Sequence, residues 1–194
     1  SPVLLFCMLS FLWADEKTYS FELVSRVELP TVIWSVGDTA GGSDCWGYVD
    51  NEGTDYAIMG VLDGTAIVRA EDQKIITTVP GPANGDQYYH RDMMTYGDYL
   101  YVCHEMRGTN QGIQIIDLSP LPDSVRYVTS YDEVDYAGAY ATTSHNLFVD
   151  EETATLYLVR SNYRGFRVVS LEDPENLKEI GFAMTPGIHD IFSR

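Results

Sequence analysis

From Ser43 onward the chain consists of short apolar runs separated by glycine, asparagine and aspartate. One set is nearly all apolar: Tyr56–Val61, Tyr99–Cys103 and Leu156–Val159. These runs show neither the 3.6-residue period of an amphipathic helix nor the strict alternation of a one-sided strand. Their shortness and their β-branched and aromatic content predict strands, and the lost alternation predicts strands covered on both faces. A second set opens on glycine: Gly64–Val68, Gly112–Leu118 and Gly165–Leu171. A third set is more polar, as a solvated strand would be: Lys74–Val79, Val125–Val128 and Leu177–Phe182. Turn-forming residues precede each nearly apolar run: Asp50-Asn51-Glu52-Gly53, Tyr96-Gly97-Asp98 and Asp150-Glu151-Glu152-Thr153. Such residues tolerate tight hairpin geometry.

A fourth set gives the repeat its register: Ser43-Asp44-Cys45-Trp46, His90-Arg91-Asp92-Met93, Ser144-His145-Asn146-Leu147 and Ile188-His189-Asp190-Ile191. Asp44, Asp92, Asn146 and Asp190 follow one another at intervals of 48, 54 and 44 residues. Periods of this size with four strands per unit mark a β-propeller blade. A β-sandwich is the main rival, but it does not predict matched polar residues at each first strand. The expectation is an all-β, partial β-propeller of about three four-stranded blades, near 43–87, 88–143 and 144–187, with a fourth beginning at 188. Residues 15–42 form a lead-in in which Phe21–Leu29 reads as an outer strand. A ring needs at least about four blades, so closure is not expected within this chain.

The first fourteen residues, Ser1 to Ala14, are uncharged and largely apolar, with Asp15-Glu16-Lys17 directly after. A run this short is below the roughly 20 residues that span a bilayer. It fits the apolar region of a signal peptide that lacks its starting methionine and basic segment, with a buried strand or helix as the rival reading. Secretion would place Cys45 and Cys103 in an oxidising compartment where a disulfide is permitted. Their non-equivalent positions in different repeats leave that pairing open. The net charge of −17 repels phosphate backbones and anionic lipid, which argues against nucleic-acid and membrane-surface partners.

The segments Gly112-Ile113-Gln114-Ile115-Ile116-Asp117-Leu118-Ser119 and Gly165-Phe166-Arg167-Val168-Val169-Ser170-Leu171-Glu172-Asp173-Pro174 resemble the LVIVD repeat. Ser43-Asp44-Cys45-Trp46-Gly47-Tyr48, Arg91-Asp92 with Tyr96-Gly97, Ser144-His145-Asn146 with Asp150–Thr153, and Ile188-His189-Asp190 resemble the choice-of-anchor B family. The likeness runs from about Phe21 to the end of the chain, with Cys45 as a departure inside the first motif. The resemblance implies a secreted bacterial β-propeller at the cell surface, with further blades and an anchor beyond Arg194. It implies no established activity.

Inner strands of a propeller line its central channel. Asp44, His90, Asp92, His145, Asn146, His189 and Asp190, with Ser43 beside them, are therefore candidate ligand-binding residues at one channel mouth. Imidazole and carboxylate groups bind divalent metals and also orient polar substrates. The structural alternative is that these residues hydrogen-bond backbone groups and lock neighbouring blades together. His90 stands two residues before its register acid, whereas His145 and His189 stand one before theirs. The period-two alternation of strands predicts that His90 turns away and that Asp92 takes its place. The favoured function is an extracellular or cell-surface binding or scaffold module for a glycan or protein ligand. The alternative is a glycan-active hydrolase or lyase using a His/Asp pair at the mouth. Tyr88-Tyr89, Tyr131, Tyr136 and Tyr140 offer a sugar-stacking face. No nucleophile elbow, phosphate loop or zinc-protease helix motif is present.

Overall fold

The computed structural model describes residues 20, 22–23, 25–29, 32–35, 38–82, 90–106, 112–132, 143–159, 165–185 and 188–193. These residues hold fourteen strands and no helix. The signal-like segment, Tyr88-Tyr89, Tyr136 and Tyr140 lie outside them.

Three antiparallel four-stranded sheets follow one another along the chain, each in simple meander order. The first contains β3 (Gly42–Val49), β4 (Asp55–Val61), β5 (Gly64–Arg69) and β6 (Ile75–Pro80). The second contains β7 (Arg91–Tyr96), β8 (Tyr99–His104), β9 (Ile113–Asp117) and β10 (Arg126–Tyr131). The third contains β11 (Asn146–Asp150), β12 (Thr155–Val159), β13 (Phe166–Ser170) and β14 (Lys178–Ala183). The sheets meet through their first strands, β3 against β7 and β7 against β11. These are three blades of a β-propeller with the first strand innermost.

The middle blade explains the missing alternation. Leu100, Val102, Ile116 and Leu118 pack with Ile58 and Ile67 of the first blade. Tyr101, Cys103, Ile113 and Ile115 pack with Leu147, Leu156 and Leu158 of the third. Both faces of β8 and β9 are thus core, and near-continuous apolar sequence follows. Each blade also shifts register where its third and fourth strands pair, between Ile67 and Val68, Tyr127 and Thr129, and Val168 and Val169. A bulge at this point twists the outer strand.

The glycine that opens each third run has one physical cause. A Cβ on Gly64, Gly112 or Gly165 would lie 2.0, 2.2 or 1.8 Å from the carbonyl oxygen of Val79, Tyr131 or Ala183. The outer strand passes too close at each equivalent point for any side chain. Gly112 and Gly165 also sit at positive φ, 106° and 37°. The turn aspartates serve the hairpins: Asp50 Oδ1 accepts the Glu52 and Thr54 N–H groups at 2.9 Å, and Asp150 Oδ1 accepts that of Glu152 at 3.1 Å.

Three details differ from the sequence expectations. The described residues of 21–29 are not strand, because the fourth position of every described four-stranded sheet is already filled, by β6, β10 or β14. The lead-in instead carries a small hairpin, β1 (Val32–Ser35) with β2 (Asp38–Ala40). Residues 188–193 lie beside β11, where a next inner strand would be, yet they form no strand. Their contacts to β11 are side-chain contacts: Ser193 Oγ donates to Asp150 Oδ2 at 2.8 Å, and the Phe192 and Phe148 rings meet edge-on at 5.2 Å. Cys45 is exposed and Cys103 buried, and both are free thiols.

Candidate functional site

Because the inner strands run side by side, the residues that begin them gather at one end of the blades. Ser43, Asp44, His90, Arg91, Asp92, His145, Asn146 and His189 line a recess of about 200 Å³. Asp190 joins at its edge, where its carboxylate meets His189 Nδ1 at 2.8 Å. Two larger hollows, about 550 and 670 Å³, lie along outer strands and hairpin ends. Neither contains a histidine, so the chemistry converges on the smaller recess.

Two of the register acids, Asp44 and Asp92, line the recess and also accept backbone N–H groups of the next blade. Asp44 Oδ2 accepts the Met93 N–H at 3.1 Å, reaching from the first blade to the second. Asp92 Oδ2 accepts the Leu147 N–H at 3.2 Å, from the second to the third. Ser43 Oγ donates to the Arg91 carbonyl at 2.7 Å and accepts its N–H at 2.9 Å. Trp46 Nε1 continues the seam by donating to Thr95 Oγ1 at 3.0 Å. Burial, then the hydrogen bond and negative charge of Asp44, push the Asp92 carboxyl up to about 7.

Arg91 lies beneath, 1% exposed, donating to the Val61 carbonyl and touching Met106 Sδ at 3.4 Å. Burial pushes its pKa down to about 10. Gly81 makes room for it, since a Cβ there would stand 2.3 Å from a guanidinium nitrogen.

The imidazoles form the other half of the site. The His90 and His145 rings stack with centroids 4.5 Å apart and planes 7° from parallel. His145 and His189 meet edge-on at 4.2 Å, with their Nε2 atoms 2.7 Å apart. His90 Nε2 lies 3.0 Å from the His145 carbonyl. The expectation that His90 turns away and Asp92 replaces it is reversed. His90 precedes β7 and His145 precedes β11, so neither is bound by strand alternation, whereas Asp92 lies inside β7 and points along the seam.

Glu105 was not singled out by the repeat. It follows β8 and places Oε2 3.2 Å from His145 Nδ1, with side-chain exposures of 10% and 12%. The residues after the equivalent strands β4 and β12 are Leu62 and Arg160, so no periodic signal marks it. His104, just before it, is held neutral: burial pushes its pKa down to about 4, Nε2 meets the Gly112 carbonyl, and Nδ1 accepts the Met106 N–H.

No family model and no curated protein matches this chain. Among solved structures it is similar to a candidate 6-phosphogluconolactonase from Bacteroides fragilis, with a TM-score of 0.52 at 16% identity. The match covers 73% of this chain and 39% of that one. That neighbour is a β-propeller, so the likeness agrees with the three-blade architecture. At this identity it speaks to fold alone. The chain spans well under half the length of the structure it matches. Among the described residues no helix is long and apolar enough to cross a membrane.

Proposed function

We propose that this chain is part of a binding module displayed outside the cell, with the recess at the start of the inner strands as its ligand face. One observation carries the reading. His90, His145 and His189, from three separate segments, meet at a single recess, with Glu105 against His145 and Asp190 against His189. The acids Asp44 and Asp92 accept backbone N–H groups across the seams, while the three imidazoles cluster along the recess. A recess of about 200 Å³ accepts an ion or the tip of a larger molecule rather than a whole sugar chain. The apolar first fourteen residues, the charge of −17 and the resemblance to the choice-of-anchor B and LVIVD proteins support a secreted, cell-surface location.

A hydrolase is the second reading, favoured by the hydrogen-bonded series Asp190, His189 and His145, since an acid that orients one imidazole against another is a proton relay. The structure from Bacteroides fragilis is named for hydrolysis of a sugar lactone. Against it, the far end of the series is His145 Nδ1, which faces the largely buried Glu105 rather than open solvent.

The test is a glycan array and a lactone-hydrolysis assay on the same chain, wild type and with His145→Ala and His189→Ala combined. The binding reading expects glycan binding that the double variant loses at an unchanged unfolding midpoint, without turnover. Turnover that depends on His189 would establish the hydrolase instead. Unfolding of the double variant with no separate binding defect would make the histidines structural pins.

A further inference from the structure

We propose that His90, Glu105 and His145 form a binding site for a zinc-class divalent metal ion, with His189 and Asp190 orienting it from outside. This rests on the recess being the ligand face and names what that face holds first. One donor atom from each of His90, Glu105 and His145 lies within 4.8 Å of the other two.

The tautomers implied by the hydrogen bonds carry the argument. Asp190 is next to His189 Nδ1 at 2.8 Å, so that nitrogen carries the proton and His189 Nε2 presents its lone pair. With both rings neutral, His145 Nε2, 2.7 Å away, donates its own proton to His189. That leaves His145 Nδ1 as a lone pair, buried and without a hydrogen-bond partner, although Glu105 Oε2 stands 3.2 Å from it. The two atoms are close but not aligned as donor and acceptor. Two acceptors facing each other out of water are repulsive unless a cation lies between them. Two donors on one tetrahedral zinc, each about 2.0–2.1 Å from the metal, stand about 3.3 Å apart, which is the separation seen. His90 Nε2 is directed at the His145 carbonyl at 3.0 Å, which makes Nδ1 the lone-pair nitrogen of that ring.

The donor set decides the metal. Two imidazoles and one carboxylate suit zinc and its neighbours, whereas calcium and magnesium take oxygen ligands almost alone. Three protein ligands leave a fourth position for water or a ligand atom. The outer pair has the arrangement metal sites require: a ligating imidazole gives its second N–H to a partner that fixes its orientation. Spacings of up to 4.8 Å exceed those of a loaded site, so the three ligands draw together on binding.

The test is zinc chloride titrated calorimetrically into the untagged, chelator-treated full chain, with calcium chloride as comparison. One zinc per chain and no calcium uptake are expected. Glu105→Gln and His145→Ala should each weaken zinc binding at least 100-fold. His189→Ala should weaken it roughly 10- to 100-fold through lost orientation. His90→Gln, which keeps a polar side chain of similar reach, serves as the second variant if His145→Ala unfolds, and it too should lose affinity. No stoichiometric zinc, or zinc binding unmoved by Glu105→Gln and His90→Gln, overturns the site. Glycan binding by protein that takes up no zinc would overturn the metal and leave the ligand face standing. One tight zinc without glycan binding would uphold the metal and remove the glycan.

Discussion

Asp92 directs both carboxylate oxygens to main-chain N–H groups, Met93 at 2.9 Å and Leu147 at 3.2 Å, while His189 is 65% exposed in its side chain. That contrast separates residues that hold blades together from residues that face a ligand. Asp92→Ala leaves the Leu147 N–H at a half-buried seam without its acceptor, and should lower stability by about 1–3 kcal/mol. Asp92→Asn keeps an accepting oxygen and should cost less. His189→Ala should stay within about 0.5 kcal/mol of wild type. Urea unfolding of the three variants checks all of this, and a His189→Ala cost equal to that of Asp92→Ala would place His189 among the pins. At this scale the sequence was half informative. The repeat placed the inner-strand polar residues at one recess, but register could not tell which acids would accept a neighbouring blade's backbone N–H groups. Glu105 escaped because no other blade has a counterpart to it.

The strands were the most legible level, because burial on both faces leaves a mark in composition. All four sets of runs between Ser43 and Ala183 became strands within a few residues of their expected bounds. The recurrent glycine carried more meaning than its run suggested. A methyl group on Gly165 would overlap the Ala183 carbonyl, so Gly165→Ala should shift the outer strand and cost about 2–3 kcal/mol. Gly47, inside β3, has nothing within 4 Å of the point where a methyl group would stand, and Gly47→Ala should change stability by less than about 0.5 kcal/mol. Denaturant midpoints at constant slope decide it, and equal costs would refute the close-approach account. The misread elements, 21–29 and 188–193, look strand-like by themselves but lack a sheet partner among the described residues. Periodicity records which faces are apolar, not whether an edge is available to pair.

Across the whole molecule the blades are joined by separate contacts, a seam of side chains along the inner strands and ionic contacts farther out. Arg126 of the second blade binds Asp117 at 2.7 Å and reaches Glu175 of the third, to which Tyr99 also donates at 2.8 Å. The Arg126 and Tyr99 hydrogen bonds hold Glu175 below the usual carboxylate range. Burial would raise Asp117, but the Ser119 and Arg126 hydrogen bonds overcome it and lower that group as well. A depressed carboxylate contributes stability that is present above its ordinary pKa, about 4, and is lost as pH falls through the folded value. Acid unfolding should therefore begin below about pH 4, and Arg126→Gln should move its midpoint to higher pH, with a smaller difference in 1 M salt. An unmoved midpoint would mean these contacts are merely surface decoration. The buried Cys103 makes the joint between the second and third blades observable in time. Its thiol lies in the apolar layer they share and burial pushes its pKa well up, whereas Cys45 is exposed. Alkylation followed by peptide mass spectrometry should modify Cys45 at once and Cys103 only as fast as the two blades part. The molecule thus carries its own clock for blade separation, and Arg126→Gln should make it run faster.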